Sequence, residues 1–99
     1  MNVKEHLLTV LAEECAEVQL AISKTLRFGK DDCRPGSTVT NAKEIEKEFI
    51  EAMAVRDMLR ELGVIVQPDE AKKIYDEKRV RVGKFIEYAR SKGTITSCK

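Results

Sequence analysis

The chain contains no tryptophan, and phenylalanine and tyrosine together supply only 5 % of its 99 residues. A domain of this length buries a modest core, and without large aromatic side chains that core is thinner still. Part of the core is therefore expected from a second copy of the chain. There is one histidine, His6, which excludes metal centres built from several imidazoles, as iron and zinc sites commonly are. The three cysteines, Cys15, Cys33 and Cys98, are odd in number and widely spaced. They fit neither a disulfide framework nor a zinc pattern, and they suit a reducing compartment. No stretch approaches the roughly 18 apolar residues of a membrane span. The opening segment MNVKEHLLTVLAEE is too acidic and its apolar run too short for a signal peptide. A soluble, cytoplasmic protein is expected.

Charge of one sign is also lacking. Eighteen basic and 17 acidic residues leave a net charge of +1, which gives no general attraction to nucleic acid or to an anionic membrane. The signs are unevenly placed, with acidic residues gathered at 13–17 and 44–51 and basic residues at 72–84.

What is present is helical periodicity, with no internal repeat and no low-complexity stretch. Leu7, Leu8, Leu11, Cys15, Val18 and Ile22 recur along one face of a helix predicted from about Val3 to Leu26. Gly29, Asp31, Asp32, Pro35, Gly36, Ser37 and Thr38 mark a loop over about 28–40. That is long for a helix–helix connection, and loops of such length are usually functional or disordered. A second helix is predicted from Asn41, as N-cap with Glu44 completing a capping box, to about Leu62, with Gly63 as its stop. Its stripe is Ile45, Phe49, Ala52, Val55 and Leu59. A third helix is predicted from Pro68 to about Arg90, with Ile74, Val82, Phe85, Ile86 and Ala89 as its apolar positions and a loose tail over 92–99. The expected fold is all-α: one domain over 1–99, a small bundle of three main helices completed by homodimerisation into a four-helix-type core.

Glu14 and Glu17 on the first helix, and Glu48 and Glu51 on the second, are each spaced i, i+3 and lie side by side on their helices. On a helical wheel Glu14 borders the apolar stripe, Glu48 falls inside it, and Glu17 and Glu51 lie on the flanks. Glu13 points nearer to solvent. Carboxylates at a helix seam are costly unless a charge compensates them. An all-oxygen set suits a hard cation, magnesium or manganese, with substrate phosphates as further ligands. The plainer alternative is a solvated acidic surface. Cys15, inside the stripe, reads as a small core residue. Arg56 also falls within an apolar stripe, either pairing with a carboxylate across an interface or reaching solvent. His6 reads as surface.

The segment Leu11-Ala-Glu-Glu-Cys-Ala-Glu-Val-Gln-Leu-Ala resembles the first helix of the MazG-like all-α nucleoside triphosphate pyrophosphohydrolases. That family carries a Glu-Glu-x-x-Glu motif, matched by Glu13, Glu14 and Glu17. A second motif, Glu-x-x-Asp, is matched by Glu48-Phe-Ile-Glu51, with Glu51 standing where Asp is usual. Lys24-Thr-Leu-Arg27-Phe28-Gly29, with Pro35 and Asn41, is similar to the shorter, phage-type or stand-alone members. The resemblance spans 11–60 and is looser to about 90. It implies hydrolysis of nucleoside triphosphates to the monophosphate and pyrophosphate in nucleotide-pool clean-up, by a homodimer or tetramer. Glu14, Glu17, Glu48 and Glu51 are then the magnesium ligands, with manganese as a substitute. Glu13, Glu14 and Glu17 are the catalytic carboxylates, and Lys24, Arg27 and Asn41 contact the substrate. Lys78 and Lys84 are further basic candidates, with solvated surface as their default. Phe28, Phe49, Tyr75, Phe85 and Tyr88 are the available stacking partners for a base. The alternatives are a helical module that binds nucleotide or metal with little turnover, favoured by the Glu51 departure, and a helical interaction protein without a site.

Overall fold

Asn2 starts the first helix: its side chain accepts a hydrogen bond from the Glu5 N–H at 2.8 Å, satisfying one of the unpaired donors of the first turn. In the computed structural model, which describes residues 1–96, this helix, α1, runs over Val3–Phe28. It is followed by α2 over Asn41–Glu61 and α3 over Ala71–Ser91. There is no β-strand among the described residues, and no helix there is long and apolar enough to cross a membrane. Cys98 and the end of the tail lie outside the described residues. The chain divides into two compact units, 1–66 and 67–99.

In the first unit α1 packs against α2. The inward row of α1 is Leu7, Val10, Leu11, Glu14, Val18, Ala21 and Thr25. Leu8, Cys15 and Ile22 were expected in the same stripe but remain exposed. The helix carries two adjoining apolar rows, and α2 covers the one rotated toward Glu14, burying Val18 and Ala21. Cys15 is therefore a surface thiol. On α2, Ile45, Ala52, Val55 and Leu59 turn inward, whereas Phe49 is 46 % exposed. Val18, Ala21 and Leu59 are the buried apolar side chains among the described residues, and Leu59 alone is fully enclosed.

The loop between α1 and α2 is ordered by its own hydrogen bonds. Gly29 leaves α1 with φ +93°, a conformation open to glycine. Cys33 and Thr40 form an antiparallel bridge. Arg34-Pro35-Gly36-Ser37 closes a turn, with the Ser37 N–H donating to the Arg34 carbonyl at 2.9 Å and Gly36 at φ +80°, the type II arrangement. The N-cap of α2 is Thr40, whose hydroxyl accepts from the Lys43 N–H at 3.3 Å. The predicted Asn41–Glu44 capping box is thereby displaced. Asn41 is the first residue of the helix and is buried, and its side-chain amide donates to the Gly29 carbonyl at 2.8 Å. Glu44 turns instead to Arg34, at 3.2 Å. The α2 C-terminus closes at Gly63 (φ +73°), with the Val64 N–H returning to the Leu59 carbonyl at 3.0 Å. Residues 64–66 are irregular and not a strand.

In the second unit Pro68-Asp69-Glu70 precedes α3 rather than opening it, and Glu70 occupies the N-cap. The apolar positions Ile74, Val82, Phe85 and Ile86 share one face, yet α3 buries no residue. Along-helix ion pairs lace its surface, including Lys72–Asp76 at 2.7 Å and Arg90–Glu87. Each contributes a few tenths of a kcal/mol at most, ~0.3–0.5. Lys78 and Lys84 are exposed.

Candidate metal and phosphate site

Glu14 and Glu48 lie on the facing rows of α1 and α2, and Glu51 stands one turn beyond Glu48. Each offers a carboxylate oxygen, and the three oxygens lie within 4.8 Å of one another. Such convergence of like charges is unfavourable without a cation among them. Oε2 of Glu14 is shielded from solvent and has no hydrogen-bond partner among the described residues. The Glu48 carboxyl is pushed above its ordinary value of 4.5. Partial burial is the largest cause, followed by the neighbouring Glu51 charge; Glu17 and Glu14 add to it and Lys47 opposes it. An all-oxygen donor set with a buried, unpartnered oxygen matches what a hard divalent cation requires. Glu14, Glu48 and Glu51 are thus a group that could hold a metal ion.

Glu17 does not join the three-oxygen cluster. It lines the adjoining pocket, about 130 Å³, with Glu48 and three cations, Lys24, Arg34 and Lys47. Lys24 is half-buried and makes no ion pair among the described residues. Arg34 is held by Glu44, and Lys47 sits 3.5 Å from Glu51, whose side chain is 46 % exposed. Carboxylates and ammonium or guanidinium groups gathered around one small hollow are suited to a metal-chelated polyphosphate.

The expected site residues divide as follows. The structure brings Glu14, Glu48 and Glu51 together, with Glu17, Lys24 and Asn41 lining the neighbouring pocket. Glu13 is exposed. Arg27 does not line the pocket; its guanidinium carbon lies 4.8 Å over the centre of the Phe28 ring. The amide of Asn41 is committed to the Gly29 carbonyl, so this residue fixes the loop that borders the pocket. Arg56 pairs with the adjacent Asp57 at 3.0 Å, and both are substantially exposed. His6 is exposed, as expected.

Sequence reasoning missed Arg34 and Lys47. Lys47 had a visible signal, since it lies four residues before Glu51 on one helix. Arg34 had none, because its position depends on the Cys33–Thr40 bridge. Among known proteins, no family model, no curated protein and no solved structure matches the chain. The functional reading therefore rests on the site and on the resemblance carried by residues 11–60.

Proposed function

We propose that this protein is a magnesium-dependent hydrolase of nucleoside triphosphates, releasing the monophosphate and pyrophosphate in nucleotide-pool clean-up in the cytoplasm. The observation that carries the reading is the convergence of the Glu14, Glu48 and Glu51 oxygens beside a pocket lined by Lys24, Arg34 and Lys47. Magnesium, when bound by these carboxylates, neutralises phosphate oxygens and makes the phosphorus more electrophilic. The remaining work falls to the chain. Lys24, Arg34 and Lys47 bind the phosphate oxygens and balance the charge that builds on the pyrophosphate leaving group. Glu17, outside the three-oxygen cluster, orients a water and takes its proton as the water oxygen bonds to the α-phosphorus. The bond from the α-phosphorus to the bridging oxygen breaks, and pyrophosphate departs with the electron pair.

Homodimerisation is part of this proposal. The chain's own packing leaves Leu8, Ile22 and Leu26 of α1 and Phe49 and Met53 of α2 at least 40 % exposed, more apolar surface than so small a core accounts for. A second copy, or a pair of dimers, covers it.

A second reading, metal or nucleotide binding with little turnover, is favoured by Glu51, whose carboxylate is half-exposed and shared with Lys47. The deciding experiment is pyrophosphate release from a panel of nucleoside triphosphates, with magnesium and with chelator, alongside magnesium binding by calorimetry. Magnesium-dependent release that Glu14→Gln abolishes supports the enzyme. Binding without release supports the module. Neither binding nor release refutes both and leaves a helical interaction protein.

A further inference from the structure

Beside the carboxylate pocket, the 29–40 loop folds over the end of α1 to form a second hollow of about 240 Å³. Its wall is largely apolar, opposite in character to the carboxylate pocket. Phe28, Asp32, Cys33 and Pro35 line it and not the carboxylate pocket, whereas Lys24, Arg34 and Asn41 line both hollows. We propose that this hollow holds the nucleobase of a triphosphate whose phosphates occupy the carboxylate pocket, and that it selects cytosine or adenine, which present an exocyclic amine where uracil, thymine and guanine present a carbonyl. The inference rests on the triphosphate reading and adds the substrate class to it.

Three observations carry it. The first is continuity: the cations at the boundary, Lys24 and Arg34, stand where a nucleotide's charged part would meet its apolar part. The second is Phe28. Its side chain is 56 % exposed, and the Arg27 guanidinium covers the ring at 4.8 Å. A cation on one face holds the ring in place, and a ring that also lines a hollow is a stacking platform for any base. The third is Asp32. Its backbone is fixed on both sides: its N–H donates to the Gly29 carbonyl at 3.4 Å and its carbonyl accepts from the Asn41 N–H at 2.8 Å. Its carboxylate has no hydrogen bond or ion pair among the described residues. An ionised carboxylate only accepts. It therefore pairs with the amine of cytosine or adenine and repels the carbonyl that uracil or thymine presents at the same ring position.

The test is equilibrium binding to the full chain with magnesium, using CTP, ATP, UTP and inorganic tripolyphosphate as probes. Phe28 and Asp32 are exposed, so Phe28→Ala and Asp32→Asn are expected to melt as the parent does. The expected result is CTP or ATP binding about tenfold or more tighter than UTP. Phe28→Ala loses the nucleotide's advantage over tripolyphosphate and leaves tripolyphosphate binding unchanged. Asp32→Asn brings UTP level with CTP. If tripolyphosphate binds and neither substitution changes the nucleotide ratios, the base subsite is overturned and the phosphate site stands. If the parent binds neither tripolyphosphate nor any nucleotide, the triphosphate reading itself fails.

Discussion

Replacing Glu48 with glutamine is expected to move stability in opposite directions with and without magnesium. Oxygens of Glu48, Glu14 and Glu51 lie within 4.8 Å of one another. At about that distance a pair of like charges costs roughly 1 kcal/mol in water-like surroundings and more where water is excluded. Glu48 takes part in two such pairs, about 2 kcal/mol together. Lys47 offsets part of this, and the half-exposed Glu51 can swing away, so about 1 kcal/mol is a realistic net cost. Glutamine keeps the shape and removes the charge. In chelator the variant is therefore expected to melt about 4–8 °C above the parent, the usual change per kcal/mol for a chain of this size. Magnesium is expected to reverse the order. At a concentration about a hundredfold above its Kd the ion stabilises the parent by about 2.7 kcal/mol, and a variant with one of three ligands gone loses most of that gain. Thermal unfolding by circular dichroism, with and without magnesium, reads both effects. A variant that melts at or below the parent in chelator, with the same magnesium shift as the parent, would show that these carboxylates neither repel one another nor hold the ion.

Three further predictions follow from the same geometry. The Glu48 carboxyl titrates above 4.5 in the folded chain, so the fold holds more protons than the unfolded chain above that pH. Without metal its contribution to stability falls as pH rises through the folded value and is flat below 4.5; urea midpoints across pH, parent minus Glu48→Gln, measure this slope. Leu59→Ala empties the one fully enclosed site among the described residues and is expected to cost about 2–5 kcal/mol by urea unfolding. Asn41→Ala removes the 2.8 Å bond to the Gly29 carbonyl. It is expected to cost about 1–3 kcal/mol and to make the 29–40 loop a preferred site of limited proteolysis.

The helices were legible because periodicity and punctuation agreed: Gly29, Gly63 and Gly93 each follow a helix end, and the apolar spacing between them is helical. Periodicity cannot say which of two apolar rows a neighbour will cover. That is why Cys15 and Ile22 were placed inside while Ala21 and Thr25 were passed over. The cap of α2 was misplaced by one residue because Thr40 and Asn41 are both good caps, and only the Gly29 carbonyl decides between them. Glu48 stood out in the sequence because a carboxylate inside an apolar stripe is costly unless compensated, and the structure sets its oxygen near those of Glu14 and Glu51. The basic side of the site was read less well. Arg27 lies one residue before the end of α1, against the Phe28 ring, whereas Arg34 reaches the pocket through a loop whose path no local pattern encodes.

The stitching of the loop also determines which changes of length the protein tolerates. Asn41 and Ala42, the first residues of α2, donate their N–H groups to the carbonyls of Asp32 and Lys30 at 2.8 and 2.9 Å, so the start of the helix is indexed to the residues just after α1. One residue inserted between that anchor and Glu48 turns the helix by about 100° and carries the carboxylate away from Glu14. Residues added at the tip, between Cys33 and Thr40, sit beyond the paired backbone and leave the index unchanged. Natural length variation in relatives of this chain is accordingly expected at 35–39, where it can reshape the wall of the second hollow without disturbing the carboxylates.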